Sequence, residues 1–122
     1  MKIAIPTFGT RISPRFDHAP GCALFDIEGD KITGSTQLSC TGWRDIERVS
    51  RLIDAKVDVL ICGALPNFLL GILTNNGIRV IPWIAGNTAE ALSLFLQGRL
   101  EQGMVVCSGR KRGLRCRRGI TK

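Results

Sequence analysis

Few side chains in this chain have the chemistry to hold or transform a ligand. One histidine, His18, shares a loop with Arg11 and Arg15. Five cysteines stand at positions 22, 40, 62, 107 and 116. A neutral imidazole is a metal ligand, so His18 is a candidate for one, against the plainer alternative of a loop histidine hydrogen-bonded to backbone. Arg11 and Arg15 suit an anion through charge-assisted hydrogen bonds, or else form an ordinary solvated pair. Cys62 closes an apolar run just before Gly63. A thiolate there, near helix amino ends, would have a lowered pKa and suit a soft metal, whereas a buried cysteine would be an inert small hydrophobe. Cys22 falls in a strand and reads as core, and Cys40 is a loop residue with no stated partner. Cys107 and Cys116 lie among arginines at a spacing that is not a zinc motif. Such a pair would close over an anionic cluster, form a redox-sensitive disulfide, or stay solvated.

Acid–base catalysis finds no support. With one histidine, no tyrosine and carboxylates scattered over a hairpin turn and helix surfaces, no triad or dyad can be drawn. Gly63-Ala64-Leu65-Pro66-Asn67 is not a phosphate loop, since no Gly-Lys-Ser/Thr follows. An enzyme is not expected.

The elements that position these residues begin with Val57–Val80. Val57, Val59, Leu60 and Ile61 form an apolar run of the kind found in strands buried on both faces. Pro66 suits a first helical turn, where its missing N–H is not needed. Phe68, Leu69, Ile72 and Leu73 recur at helical spacing, and Asn75-Asn76-Gly77 ends the helix. Ile78, Val80 and Ile81 start the next strand, so the two strands are parallel with a right-handed crossover. Upstream, Lys2–Pro6 is a first strand and Thr7–Pro20 a long loop, a length that tends to be functional. Cys22–Ile27 and Lys31–Leu38 form a hairpin across Glu28-Gly29-Asp30. A helix from about Trp43 to Ala55 puts Ile46, Val49 and Ile53 on one face and Arg44, Glu47, Arg48 and Arg51 on the other. Downstream, Asn87 and Glu90 resemble a capping pair for a helix through Leu92, Phe95 and Leu96 to Gly98. Met104–Cys107 is a candidate small extra strand.

This order predicts an α/β layer fold with helices on both faces of a mixed sheet of five strands. The first strand and those flanking the 62–77 crossover run parallel, and a hairpin strand is the antiparallel exception. Loops 7–20, 62–67 and 85–88 then converge on one sheet edge, where open parallel sheets bind ligands. The second and third open helices, whose free N–H groups favour an anion. Gly63, Ala64, Gly86 and Asn87 join Arg11, Arg15 and His18 as candidate binding residues.

Composition narrows the partners. The net charge of +7 comes wholly from Arg110, Lys111, Arg112, Arg115, Arg117, Arg118 and Lys122. The body is neutral, residues 107–122 read as a disordered basic tail beyond a domain of residues 1–106, and a basic globular face for nucleic acid is not supported. A tail that binds nucleic acid or an acidic partner is the alternative, with the protein then a regulatory adaptor without metal. MKIAIPTFG is broken too soon by Pro6 and Gly9 to be a signal peptide, and no window approaches the roughly 20 apolar residues of a membrane span. With an odd number of cysteines and no export signal, reduced thiols in a cytoplasm are expected.

Taken in succession, KIAIP, ISPRFDHAPGCALFDIEGDKI, DVLICGALPNFLLGILTNNGIRVI and GNTAEALSLFLQGRL resemble the dinitrogenase iron–molybdenum cofactor biosynthesis family over roughly residues 1–105. The resemblance implies a ribonuclease H-like three-layer α/β/α fold, without the nuclease carboxylates, whose sheet is mainly parallel. It also implies binding, carriage or storage of an iron- or molybdenum-containing sulfide cluster, exchanged with donor and acceptor proteins, rather than catalysis. Family members that hold the nitrogenase cofactor tend to have His-Phe-Gly where this chain has Arg15-Phe16-Asp17. A charged guanidinium cannot ligate a metal, so the expectation at that position is an anion held by charge, with His18 at the second family position.

Overall fold

The computed structural model describes residues 1–106. Strand β1 (Lys2–Phe8) sets its frame. Successive side chains of a strand point to opposite faces, so Ala4 enters one core and Ile3 and Ile5 the other, all three fully buried. The chain then doubles back as β2 (Arg11–Ile12), antiparallel to the end of β1. β3 (Gly21–Glu28) and β4 (Lys31–Ser39) form the expected hairpin. Helix α1 (Asp45–Asp54) leads to β5 (Val59–Ile61), α2 (Asn67–Asn75) and β6 (Arg79–Ile81), the strand–helix–strand unit read from the sequence. After β7 (Ala85–Gly86) come α3 (Thr88–Leu96) and β8 (Val105–Val106).

The main sheet has the order β4-β3-β1-β5-β6, with β2 added on β1. β1, β5 and β6 are parallel and β3 runs against them, as expected. The sheet nevertheless has six strands rather than five, and it is not mainly parallel. Its longest ladders, β1 with β3 and β3 with β4, are antiparallel, because the hairpin strands are long while β5 and β6 have three residues each. β7 and β8 make a separate two-stranded parallel sheet.

Helices cover both faces. Val49 and Leu52 of α1 with Leu69 and Leu73 of α2 pack on Ala4, Leu60 and Cys62. Ala91 and Leu92 of α3 pack on Ile3, Ile5 and Ile61. Each fully buried leucine or isoleucine contributes about 2 kcal/mol of transfer free energy. Asn87 caps α3 by accepting the Glu90 N–H at 3.0 Å, satisfying one of the donors a helix start leaves open. No helix among the described residues is long and apolar enough to cross a membrane.

Three expectations need correcting. Thr7–Pro20 is not one long loop, since Thr7 and Phe8 extend β1, Arg11–Ile12 is β2, and Phe16–His18 is a single 3-10 turn. Pieces this short carry no hydrophobic period to read. On α1 the inward face is Val49 and Leu52, joined by Arg48, while Ile46 is exposed. The arginine goes inside because backbone carbonyls receive it, as described below. Phe68, at the start of α2, is likewise exposed rather than part of that helix's buried face.

Candidate functional site

Three segments do meet at the edge beyond the carboxyl ends of β1 and β5. The Phe16 N–H donates to the Ala64 carbonyl and the Ala64 N–H to the Pro14 carbonyl, both at 2.8 Å. The Thr88 N–H donates to the Thr10 carbonyl at 3.1 Å, and Arg11 bridges Asn87 in antiparallel fashion. Loops 7–20, 62–67 and 85–88 thus form one rim. Its tightest point is Gly63, where a Cβ would stand 2.5 Å from the Pro14 carbonyl oxygen and 2.6 Å from that of Ser13. Gly86 has φ +117, and a Cβ there would collide with the Val106 carbonyl. At both glycines the missing side chain admits the protein's own backbone.

The charged rim residues are largely engaged with one another. Arg15 forks onto Asp17, Nε to Oδ1 at 3.1 Å and Nη2 to Oδ2 at 2.8 Å. Burial pushes the Asp17 carboxyl up, but the Arg15 hydrogen bonds and charge, a backbone hydrogen bond and His18 outweigh it and hold the carboxyl below its ordinary range. His18 is exposed, with Nε2 3.8 Å from Asp17 Oδ2. Arg11 is exposed on β2 and has no ion-pair partner among the described residues.

The helix amino ends divide. At α3, the Thr88 and Glu90 N–H groups are already taken by Thr10 and Asn87, so these donors are not free to aim at a shared anion. Its first turn also carries the carboxylate of Glu90. The amino end of α2 follows Pro66 and has no acidic residue in its first turn. Below the rim a cleft of about 730 Å³ runs between α3 and the hairpin, lined by Thr7, Thr10, Gln37, Asn87 and Thr88 among others. The Thr88 hydroxyl is the one buried side-chain oxygen without a partner among the described residues.

Cys62 does not reach the rim. It is wholly buried, and burial pushes its thiol up to about 12. It therefore stands in the core beneath the rim and not on the rim itself. Cys107 and Cys116 lie outside the described residues. The described residues contain no group of three or more His, Cys, Asp or Glu side chains placed to hold a metal ion. What the rim offers is charge and hydrogen-bond donors.

One cluster escaped the sequence reading. Cys40 is no solitary loop residue, because it is buried in the same core as Cys22 and lines the same narrow gap. The neighbouring Cys22 thiol pulls the Cys40 thiol down to about 7, against desolvation and with help from Arg48, while Cys40 and burial push Cys22 up. Beside them Arg48 is 7% exposed, donating to the carbonyls of Ala19 (2.7 Å), Trp43 (3.2 Å), Cys40 (3.4 Å) and Phe16 (3.5 Å). A signal for the pair existed in the hairpin register. Cys22 opposes Leu38, and Cys40, two residues on, therefore shares its face.

Fold and rim together define a three-layer α/β protein with a ligand-type edge at the carboxyl ends of parallel strands. The chain belongs to the dinitrogenase iron–molybdenum cofactor family, whose model matches residues 1–98. No curated protein is close enough in sequence to count as a relative. Among solved structures it is similar to a protein of Methanocaldococcus jannaschii described as a dinitrogenase (TM-score 0.71, 16% identity, covering 84% of this chain and 93% of that one). It is also similar to the apo form of the orange protein of Desulfovibrio gigas (0.70, 20%, 83% and 91%). A third match is a Thermotoga protein described with NifB (0.65, 23%, 88% and 98%). At these identities the likeness establishes a shared fold.

Proposed function

We propose that this protein is a non-catalytic carrier or storage module for an iron- and/or molybdenum-sulfur cluster, held as an anion at the rim of loops 7–20, 62–67 and 85–88. The observation that carries the reading is the backbone stitching of the three segments, Phe16 to Ala64, Ala64 to Pro14 and Thr88 to Thr10, over the carboxyl ends of parallel strands. Arg11, without a carboxylate among the described residues, and the amino end of α2 supply the attraction. Arg15 and His18 join once Asp17 is displaced from them. The absence of three-ligand metal groups among the described residues favours cargo held by hydrogen bonds and charge, which suits a cluster passed between donor and acceptor proteins. Arg15 is paired with Asp17, and the segment aligns no base with a nucleophile, which supports a role without catalysis.

Two further assignments accompany it. Residues 1–106 are the cluster-binding domain and residues 107–122 a basic appendage. The strand order, with β3 reversed against the other four strands of the path, supports the ribonuclease H-like label.

The test is anaerobic reconstitution of the full chain with iron, sulfide and thiomolybdate, followed by gel filtration. The expected product is coloured, with metal at stoichiometric level, and Arg11→Ala with Arg15→Ala weakens retention severalfold. A colourless protein without stoichiometric metal refutes the reading.

A further inference from the structure

The interior cluster of Cys22, Cys40 and Arg48 is separate from the rim. Cys22 lies in β3, and Cys40 follows β4 with its N–H on the Pro20 carbonyl at 2.9 Å, so the hairpin ladder continues to the cysteine and fixes both thiols on one face. They are 5% and 3% exposed, and neither is in a disulfide. Arg48 is an unusual neighbour, because a charged group inside a protein is costly unless a counter-charge or several acceptors meet it. Four carbonyls meet this one, and no carboxylate among the described residues pairs with it. The gap lined by Cys22, Cys40, Trp43 and Arg48 has about 20 Å³ of room, enough for one atom of about water size and too little for a multi-metal cluster.

We infer that Cys22 and Cys40 form a two-coordinate site for a single soft monovalent metal ion of the Cu(I) class, with the Arg48 guanidinium as its counter-ion. The ligand chemistry selects the metal. Thiolates favour soft ions, whereas structural zinc takes four protein ligands, and no third or fourth is at hand among the described residues. Charge gives the same answer. Two thiols and one monovalent ion yield a bis-thiolate complex of charge −1 and release two protons to solvent, with no change in oxidation state. The single positive charge of Arg48 balances that complex. A divalent ion would leave an excess positive charge inside. Trp43, with the Arg51 guanidinium 4.8 Å from its ring centre, covers the gap and reports on its occupancy.

The test uses the full-length chain carrying Cys107→Ser and Cys116→Ser, labelled with 13C-cysteine, kept anaerobic and titrated with Ag(I) in chloride-free buffer. One equivalent is expected to shift the Cβ signals of Cys22 and Cys40 together, leave Cys62 in place and quench Trp43 fluorescence. A further Cys40→Ser change abolishes the quenching. Arg48→Gln, by removing the outer partner of the ligands, weakens Ag(I) binding about 10- to 100-fold. Because the primary readout keeps the cluster intact, a variant that fails to fold does not decide the matter. Unmoved Cys22 and Cys40 signals at one equivalent, a shift at Cys62 instead, or a Cys22–Cys40 disulfide in place of the complex would each overturn the assignment.

Discussion

Arg15 and Arg48 lie at opposite ends of one short path through the protein, and they handle the same charge in opposite ways. At the rim, Arg15 is exposed and meets the carboxylate of Asp17 in a two-pronged ion pair. In the interior, Arg48 meets four carbonyls, two of which, Phe16 and Ala19, flank the turn that carries Asp17 and His18. An exposed ion pair is screened by water and contributes little. A buried guanidinium cannot be relieved by water, so every acceptor it holds is tied to its presence. The visible ion pair therefore decorates the rim, and the concealed arginine holds the rim's turn to α1.

That contrast is easiest to break at the interior end. Arg48→Met leaves the Ala19 and Trp43 carbonyls without their donor, and the expected loss is about 3 kcal/mol in urea unfolding. A loss no larger than that of a surface change would erase the distinction. Gly63→Ala is expected to cost about 2 kcal/mol, because its Cβ meets fixed backbone oxygens of Ser13 and Pro14 rather than a side chain that can turn away. Amide chemical shifts of residues 13–16 should move with it while those of α3 stay. Arg15→Ala should cost less than about 1 kcal/mol, and it carries a pH signature. The Asp17 carboxyl is held below its ordinary value of 3.8 in the folded protein, so the folded state binds fewer protons there. The stabilisation is present at and above that value and disappears as pH falls through the folded one. In Arg15→Ala the acid limb of the stability curve should flatten, as read from thermal melts between neutral pH and pH 3.

How far the sequence spoke depended on repeat length. The β3–β4 hairpin, the β5–α2–β6 unit and the Asn87 cap all announce themselves, since each combines a period with turn residues. The convergence of the three rim loops followed from that topology alone. β2, β7 and β8 have two residues each, and two residues have no period. Arg48 was misread because helical spacing assigns charge to the outer face, and nothing local shows that four carbonyls wait inside. Cys62 was placed by its position at a strand end, and its depth in the core was not visible from that position. Cys40 was legible in principle, since counting along the hairpin register places it beside Cys22, but its apparent loop setting concealed the ladder contact that extends past β4.

In the small β7–β8 pair, Val106 is locked against Gly86, and its carbonyl accepts the Asn87 N–H at 3.2 Å. Asn87 in turn caps α3 through the Glu90 N–H and bridges Arg11 of β2. Two residues of strand thus brace a helix start and a rim segment together, so a bulky change at Gly86 would be felt at α3 and at β2 alike.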